Sequence, residues 1–169
     1  MSNKRLTRRQ QRQQTIEMEN ILTKKLNLKH ISPKTKTQVE LIEQYKHGKH
    51  IAAIGSAGTG KTYVSLALAL EDVMQSTIYK EVIIIRSAVQ SREQGFMPGS
   101  LSEKMSYYEG PYIDIVNDLF GRKDAYNTLK MQNMIRFMST SFVRGLTFDN
   151  AIIIVDECQN MTYEEQPLS

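Results

Sequence analysis

The sequence predicts an α/β domain, a parallel sheet with helices packed against it and a ligand edge where its strands end. Three observations predict it. A glycine loop, Gly55-Ser56-Ala57-Gly58-Thr59-Gly60-Lys61-Thr62, joins the apolar run Ile51-Ala52-Ala53-Ile54 to the apolar helical stretch Val64-Ser65-Leu66-Ala67-Leu68-Ala69-Leu70. Two further runs, Val82-Ile83-Ile84-Ile85 and Ala151-Ile152-Ile153-Ile154-Val155, have the length and β-branched content of strands covered on both faces, the habit of parallel sheets. The last run ends in Asp156-Glu157, at the strand end where ligands of open α/β sheets bind.

The loop is the most informative of these. It fits the spacing Gly, four residues, Gly-Lys-Thr (a Walker A sequence), with a strand expected before it and a helix after it. The glycines let the backbone curl so that successive N–H groups face inward as a phosphate cradle. The helix beginning at the loop's end aims its positive pole at the same place. Lys61 reaches β- and γ-phosphate oxygens, and the Thr62 hydroxyl ligates Mg2+. Residues 55–62 are therefore the candidate nucleotide-binding residues, with Lys61 also catalytic. A plain Gly/Ser/Thr surface loop is the alternative, and the fixed spacing and flanks disfavour it.

At the other candidate strand tip, Asp156 is positioned to hold Mg2+ directly or through water (the Walker B position). Glu157 is positioned to orient the attacking water or take its proton. An acidic pair that merely caps a strand is the alternative reading. Arg86, at the carboxyl end of the second run, is a candidate site residue or simply the charge that ends the strand.

Composition bounds the rest. The chain has 169 residues and 40% hydrophobic content, enough for one folded domain. No apolar run approaches membrane-spanning length and no secretory leader is evident. The lone cysteine, Cys158, has no partner for an internal disulfide and is read as structural. These features predict a reducing, cytoplasmic setting. Three histidines, His30, His47 and His50, show no metal-ligand spacing. Residues 1–36 contain ten Lys/Arg and two Asp/Glu, a charge of +8 that leaves −4 for the remainder of a chain whose net charge is +4. A basic arm of this kind suits nucleic-acid phosphates; a solvated basic helix is the equal alternative.

Along the chain, residues 1–32 read as a basic, partly helical or disordered extension ended by Ser32-Pro33. Residues 33–169 read as the P-loop domain. Thr37-Gln38-Val39-Glu40 reads as a capping box, opening a helix that Gly48 stops. Gln38 lies just upstream of the loop, and a side-chain amide can donate to and accept from adenine at once; an exposed helix glutamine is the commoner case. Residues 62–75 predict a crossover helix, and 87–100 a long loop. Helical pieces are predicted at 101–108 and 111–120, divided by Gly110-Pro111, and at 124–134. Residues 135–139 predict a short strand, and Asp149-Asn150 the turn into the last one. Tyr107, Tyr108 and Tyr112 suit base stacking near a basic surface, though such aromatics more often build the core.

From about Pro33 to Tyr163 the sequence resembles the PhoH family, the phosphate-starvation-inducible ATPases. The resemblance rests on ordered stretches: Thr37-Gln38 and Tyr45 ahead of the loop; Ile84-Ile85-Arg86 with Ser87-Ala88-Val89; Gly95-Phe96-Met97-Pro98-Gly99; Glu103-Lys104-Met105; Arg144-Gly145 with Thr147-Phe148; and Val155-Asp156-Glu157 with Gln159-Asn160. The short form is similar to phage-encoded PhoH-like proteins. The resemblance implies a RecA-like core related to superfamily one helicases, ATP bound at residues 55–62, Mg2+ at Thr62 and Asp156, and Glu157 as catalytic carboxylate. It also implies Gln38 as the adenine reader, Arg86 and Arg144 as motif positions without assigned roles, and links to RNA metabolism and phosphate stress. Rings are common among RecA-like ATPases, so a homo-oligomer is implied by resemblance alone.

Three departures stand out. Ser87 replaces the family's usual proline and Cys158 its alanine. The family continues past Asn160 with a helix and further strands, whereas here Thr162 and Glu165 open a capping box and Pro167 follows two residues before the end of the sequence at Ser169. The expectation is therefore a C-terminally truncated chain in which the strand before the loop and the strand ending at Asp156 have unpaired edges. Two functions follow: a Mg2+-dependent ATPase serving a nucleic-acid (RNA) or phosphate-stress process, or a nucleotide-binding module without turnover. A P-loop small-molecule kinase is disfavoured, since no arginine-dense lid follows the second strand.

Overall fold

The computed structural model describes residues 26–87 and 101–160. The basic stretch of 1–25, most of the predicted 87–100 loop and the capping box after Asn160 lie outside the described residues. The described part is a three-stranded parallel sheet flanked by helices. In chain order the elements are α1 (Lys36–Lys46), α2 (Lys61–Gln75), β1 (Glu81–Arg86), α3 (Leu101–Phe120), α4 (Ala125–Met131), β2 (Ile135–Ser139) and β3 (Ala151–Asp156).

The sheet order is β2-β1-β3. All four of Val82, Ile83, Ile84 and Ile85 are buried, as expected for a central strand covered on both faces. Strand alternation and the register put Val82, Ile84, Ile135, Phe137, Ile152 and Ile154 on one face. That face packs against Leu66, Leu70 and Val73 of α2, Tyr112, Val116 and Leu119 of α3, and Leu129 of α4. The same register aligns Ser139, Arg86 and Asp156 side by side at the carboxyl edge. Alternation from Ile154 turns Asp156 toward the helix-bearing face. Ile84→Ala is expected to cost about 2–5 kcal/mol in urea unfolding because it opens a cavity in this core. Ile153→Ala, at a position 44% exposed, is expected to cost less than about 1 kcal/mol.

Local chemistry explains the helix ends. Thr35, not Thr37, caps α1: its Oγ1 accepts from the Gln38 N–H at 3.2 Å, and Gln38 Oε1 accepts from the Lys34 N–H at 2.7 Å. The predicted box is thus displaced by two residues, because Gln38 occupies the third helical position, where its amide can fold back. At the other end Gly48, at φ 72, takes the left-handed conformation. The bonds Gly48 N–H to Tyr45 O and Lys49 N–H to Gln44 O close the helix. Helix α3 runs unbroken through Pro111, which corrects the predicted split. The proline can spare its hydrogen bond there because its partner turn, at Tyr107, is 58% exposed. The buried stripe Tyr108-Tyr112-Val116-Leu119 continues on the inner face. Helix α4 is shorter than the 124–134 predicted.

Hydroxyl–carboxylate bonds tie the helices together: Tyr45 to Asp72 at 2.7 Å, Tyr63 to Asp118 at 2.9 Å and Tyr126 to Glu109 at 2.5 Å. Burial and Asp72 push the Tyr45 hydroxyl above its usual range. The Tyr63 hydroxyl and Lys29 hold the Asp118 carboxyl below its usual range. Residues 26–31 run against this end of the molecule. Leu26 is buried in the core, and the Lys29 N–H donates to Leu119 O at 2.9 Å.

One expected strand does not form. Residues 51–54 are irregular and exposed, with Ile54 93% accessible. Among the described residues the sheet consists of β2, β1 and β3, and residues 51–54 pair with none of them. An apolar run without a neighbour cannot satisfy its backbone groups as a strand.

Candidate phosphate and metal site

Glycine conformation shapes the loop. Gly58 and Gly60 adopt φ of 75 and 79, left-handed values that cost side-chain-bearing residues strain. Gly60 is the N-cap residue of α2, so the loop delivers the chain directly into that helix. The Lys61 Nζ bends back across the loop, donating to Gly55 O and Ser56 O at 2.8 Å each. Thr59 Oγ1 donates to Ser56 O at 2.9 Å. The curled loop is therefore built even though residues 51–54 are outside the sheet.

Helix α1 abuts the loop. Gln38 Nε2 donates to Thr59 O at 3.0 Å, and a methyl group on Gly60 would meet that nitrogen at 3.1 Å. Gln38 is thus beside the loop, with both ends of its amide engaged within the chain, the oxygen on Lys34 and the nitrogen on Thr59.

The two distant halves meet at Thr62 and Asp156. Thr62 Oγ1 lies 3.2 Å from Asp156 Oδ2 and 3.4 Å from Oδ1. Asp156 Oδ2 also accepts from the Tyr112 hydroxyl at 2.9 Å, and Oδ1 accepts from the Glu157 N–H at 3.1 Å. Burial, then the charge of Asp156, push the Tyr112 hydroxyl above its usual range, with Arg86 opposing. The Arg86 guanidinium also sits over the Tyr108 ring, 5.4 Å from its centroid.

Glu157 follows immediately, with φ 53, a left-handed backbone of the kind found where function fixes a side chain. Its carboxylate accepts from Gln159 Nε2. Arg144 lies in an exposed turn before Gly145. Cys158 is exposed rather than packed inside, which corrects its reading as structural. Tyr108 and Tyr112 belong to the core and Tyr107 is exposed. Sequence reasoning named Tyr112 only as a stacker or core residue. Its hydroxyl contact with Asp156 had a single available signal, a tyrosine on the buried stripe of the helix after β1.

The donors fit Mg2+. Both are hard oxygens, and adjacent ligands of a Mg2+ octahedron with metal–oxygen distances of ~2.1 Å lie ~3 Å apart, close to the spacings of 3.2 and 3.4 Å from Thr62 Oγ1 to the two Asp156 oxygens. Among the described residues no cluster of three or more His, Cys, Asp or Glu could hold a metal.

A glycine loop feeding a helix on a parallel α/β sheet, with an aspartate at a neighbouring strand tip, defines a P-loop protein. The chain belongs to the PhoH family: the model for PhoH-like protein matches residues 30–167. It is 37% identical to a PhoH-like protein of Bacillus subtilis (strain 168) over 142 residues, covering 83% of this chain and 44% of that one. It is 34% identical to a PhoH-like protein of Mycobacterium leprae over 83% of this chain and 40% of the relative. It is 31% identical to Protein PhoH of Escherichia coli K12 over 78% and 38% respectively. The chain therefore spans about two fifths of the length of these curated relatives. No helix among the described residues is long and apolar enough to cross a membrane.

Proposed function

We propose that the chain binds ATP with Mg2+ at the loop of residues 55–62 and hydrolyses it. The observation that carries this reading is the Thr62–Asp156 contact, which brings a hydroxyl and a carboxylate within reach of one cation beside a formed phosphate loop. Loop amides and Lys61 hold the triphosphate oxygens, and Thr62 and Asp156 hold the metal. When bound, Mg2+ supplies charge neutralisation of the phosphates. Glu157 orients the attacking water or accepts its proton, and Lys61 stabilises charge on the γ-phosphoryl oxygens. Gln38, already beside the loop, reads adenine by exchanging its internal partners for the base edge. The basic arm of residues 1–36 suits an RNA or other single-stranded nucleic-acid partner, in a cytoplasmic nucleic-acid or phosphate-stress process, with a homo-oligomer as the working form.

A second reading, nucleotide binding without turnover, is favoured by the edge of β3 that no strand among the described residues pairs with, and by the irregular approach to the loop at residues 51–54. Titration with a fluorescent ATP analogue, in Mg2+ and in EDTA, tests both readings when paired with a phosphate-release assay. Binding strengthened by Mg2+ supports the site. Phosphate release then selects the ATPase, and its absence selects the binding module. A chain that binds no nucleotide in either condition overturns the proposal.

A further inference from the structure

Asp156 receives more donors than the function assigned to it explains. Oδ2 accepts from two hydroxyls, Thr62 at 3.2 Å and Tyr112 at 2.9 Å. A carboxylate oxygen has about two lone pairs, so those two donors fill Oδ2. Oδ1 accepts the Glu157 N–H at 3.1 Å. The single Thr62 proton favours the nearer oxygen, which leaves a lone pair of Oδ1 for a metal ion or a metal-bound water.

The Tyr112 hydroxyl is itself constrained. The residue is 1% exposed and its ring lies 5.5 Å from that of Phe137 on β2, so packing locks its rotamer. A carboxylate only accepts, so the tyrosine proton points toward Asp156 Oδ2. Arg86, beside Asp156 in the strand register, places its guanidinium 5.4 Å from the Tyr108 ring centroid, one helical turn before Tyr112.

We propose that Tyr112 is a positioning residue for the metal carboxylate: its hydroxyl, held in place by the packed ring, fixes the rotation of Asp156 so that Oδ1 faces the cation. This rests on the Mg2+–nucleotide reading above. Tyr112 touches neither nucleotide nor metal and acts only through Asp156. Partners that orient metal ligands typically cost ten- to a hundredfold in metal affinity when removed.

Tyr112→Phe keeps the packed ring and deletes only the hydroxyl. The test is the affinity for a fluorescent ATP analogue across a Mg2+ titration and in EDTA. Tyr126→Phe serves as the comparison, since Tyr126 is an equally buried tyrosine whose hydroxyl donates to Glu109 at 2.5 Å, away from the loop. The expected result is a Mg2+ midpoint raised about tenfold or more in Tyr112→Phe, with affinity in EDTA unchanged and with the midpoint unmoved in Tyr126→Phe. A merely structural role predicts lower melting temperatures in both variants and no change in either midpoint. An unmoved midpoint in Tyr112→Phe, while wild type responds to Mg2+, overturns this proposal alone. Failure of wild type to bind nucleotide overturns the reading beneath it.

Discussion

Lys61→Ala is expected to weaken Mg2+–nucleotide binding by about a hundredfold or more. Each charge-assisted hydrogen bond to a phosphate oxygen contributes about 1.5–3 kcal/mol, and each 1.4 kcal/mol is about tenfold in affinity. The substitution has a second effect. Lys61 Nζ bridges Gly55 O and Ser56 O, so its loss also frees the loop that presents the backbone N–H groups. The bridged carbonyls are exposed and turn to water, so the melting temperature is expected to change little. Equilibrium titration with a fluorescent ATP analogue measures the first effect and thermal denaturation the second. An affinity within about threefold of wild type, a difference of less than about 1 kcal/mol, would move the phosphates elsewhere.

Glu157→Gln is expected to lower turnover by about a hundredfold or more while leaving nucleotide affinity nearly unchanged, since a positioned carboxylate contributes about 10²–10⁴ to proton transfer. Glutamine preserves length and shape, so the left-handed backbone at φ 53 is equally strained in both. The carboxylate already takes a hydrogen bond from Gln159, and a Gln159→Ala variant separates loss of charge from loss of that contact. Single-turnover phosphate release is the measurement. Full turnover in Glu157→Gln, in a preparation whose Lys61→Ala variant is inactive, would assign the water-activating role to another group.

Much of this architecture was legible in the sequence because it depends on short-range patterns. Val82–Ile85 and residues 151–155 are uninterrupted and mostly β-branched, and both became parallel strands. Strand β1 is buried on both faces as expected, whereas β3 is only partly covered and its Ile153 is exposed, which corrects the expectation of a second fully buried strand. The failures have specific causes. Residues 51–54 carry the same apolar signal, but a strand is a relation between two segments, and nothing local announces that the sheet formed by the described residues leaves this run without a partner. Pro111 carries a local signal to break, and the buried stripe of α3 overrides it. Thr35 and Thr37 are equivalent capping residues on paper, and the reach of the Gln38 amide decides between them. At the site, residue type announced Lys61, Thr62 and Asp156, because their chemistry is carried by their own side chains. Tyr112 stayed hidden because its place beside Asp156 depends on how α3 docks against β2 and β3.

The central claim is that the tip of α2 and the tip of β3 share one metal-bound nucleotide. A double-mutant cycle on nucleotide affinity, with Thr62→Val, Asp156→Asn and the pair, measured in Mg2+ and again in EDTA, tests it most directly. The account predicts a coupling above about 1 kcal/mol in Mg2+ that disappears in EDTA, since residues acting through a shared partner are not additive. Additive losses in Mg2+, or a coupling equally large in EDTA, would contradict it.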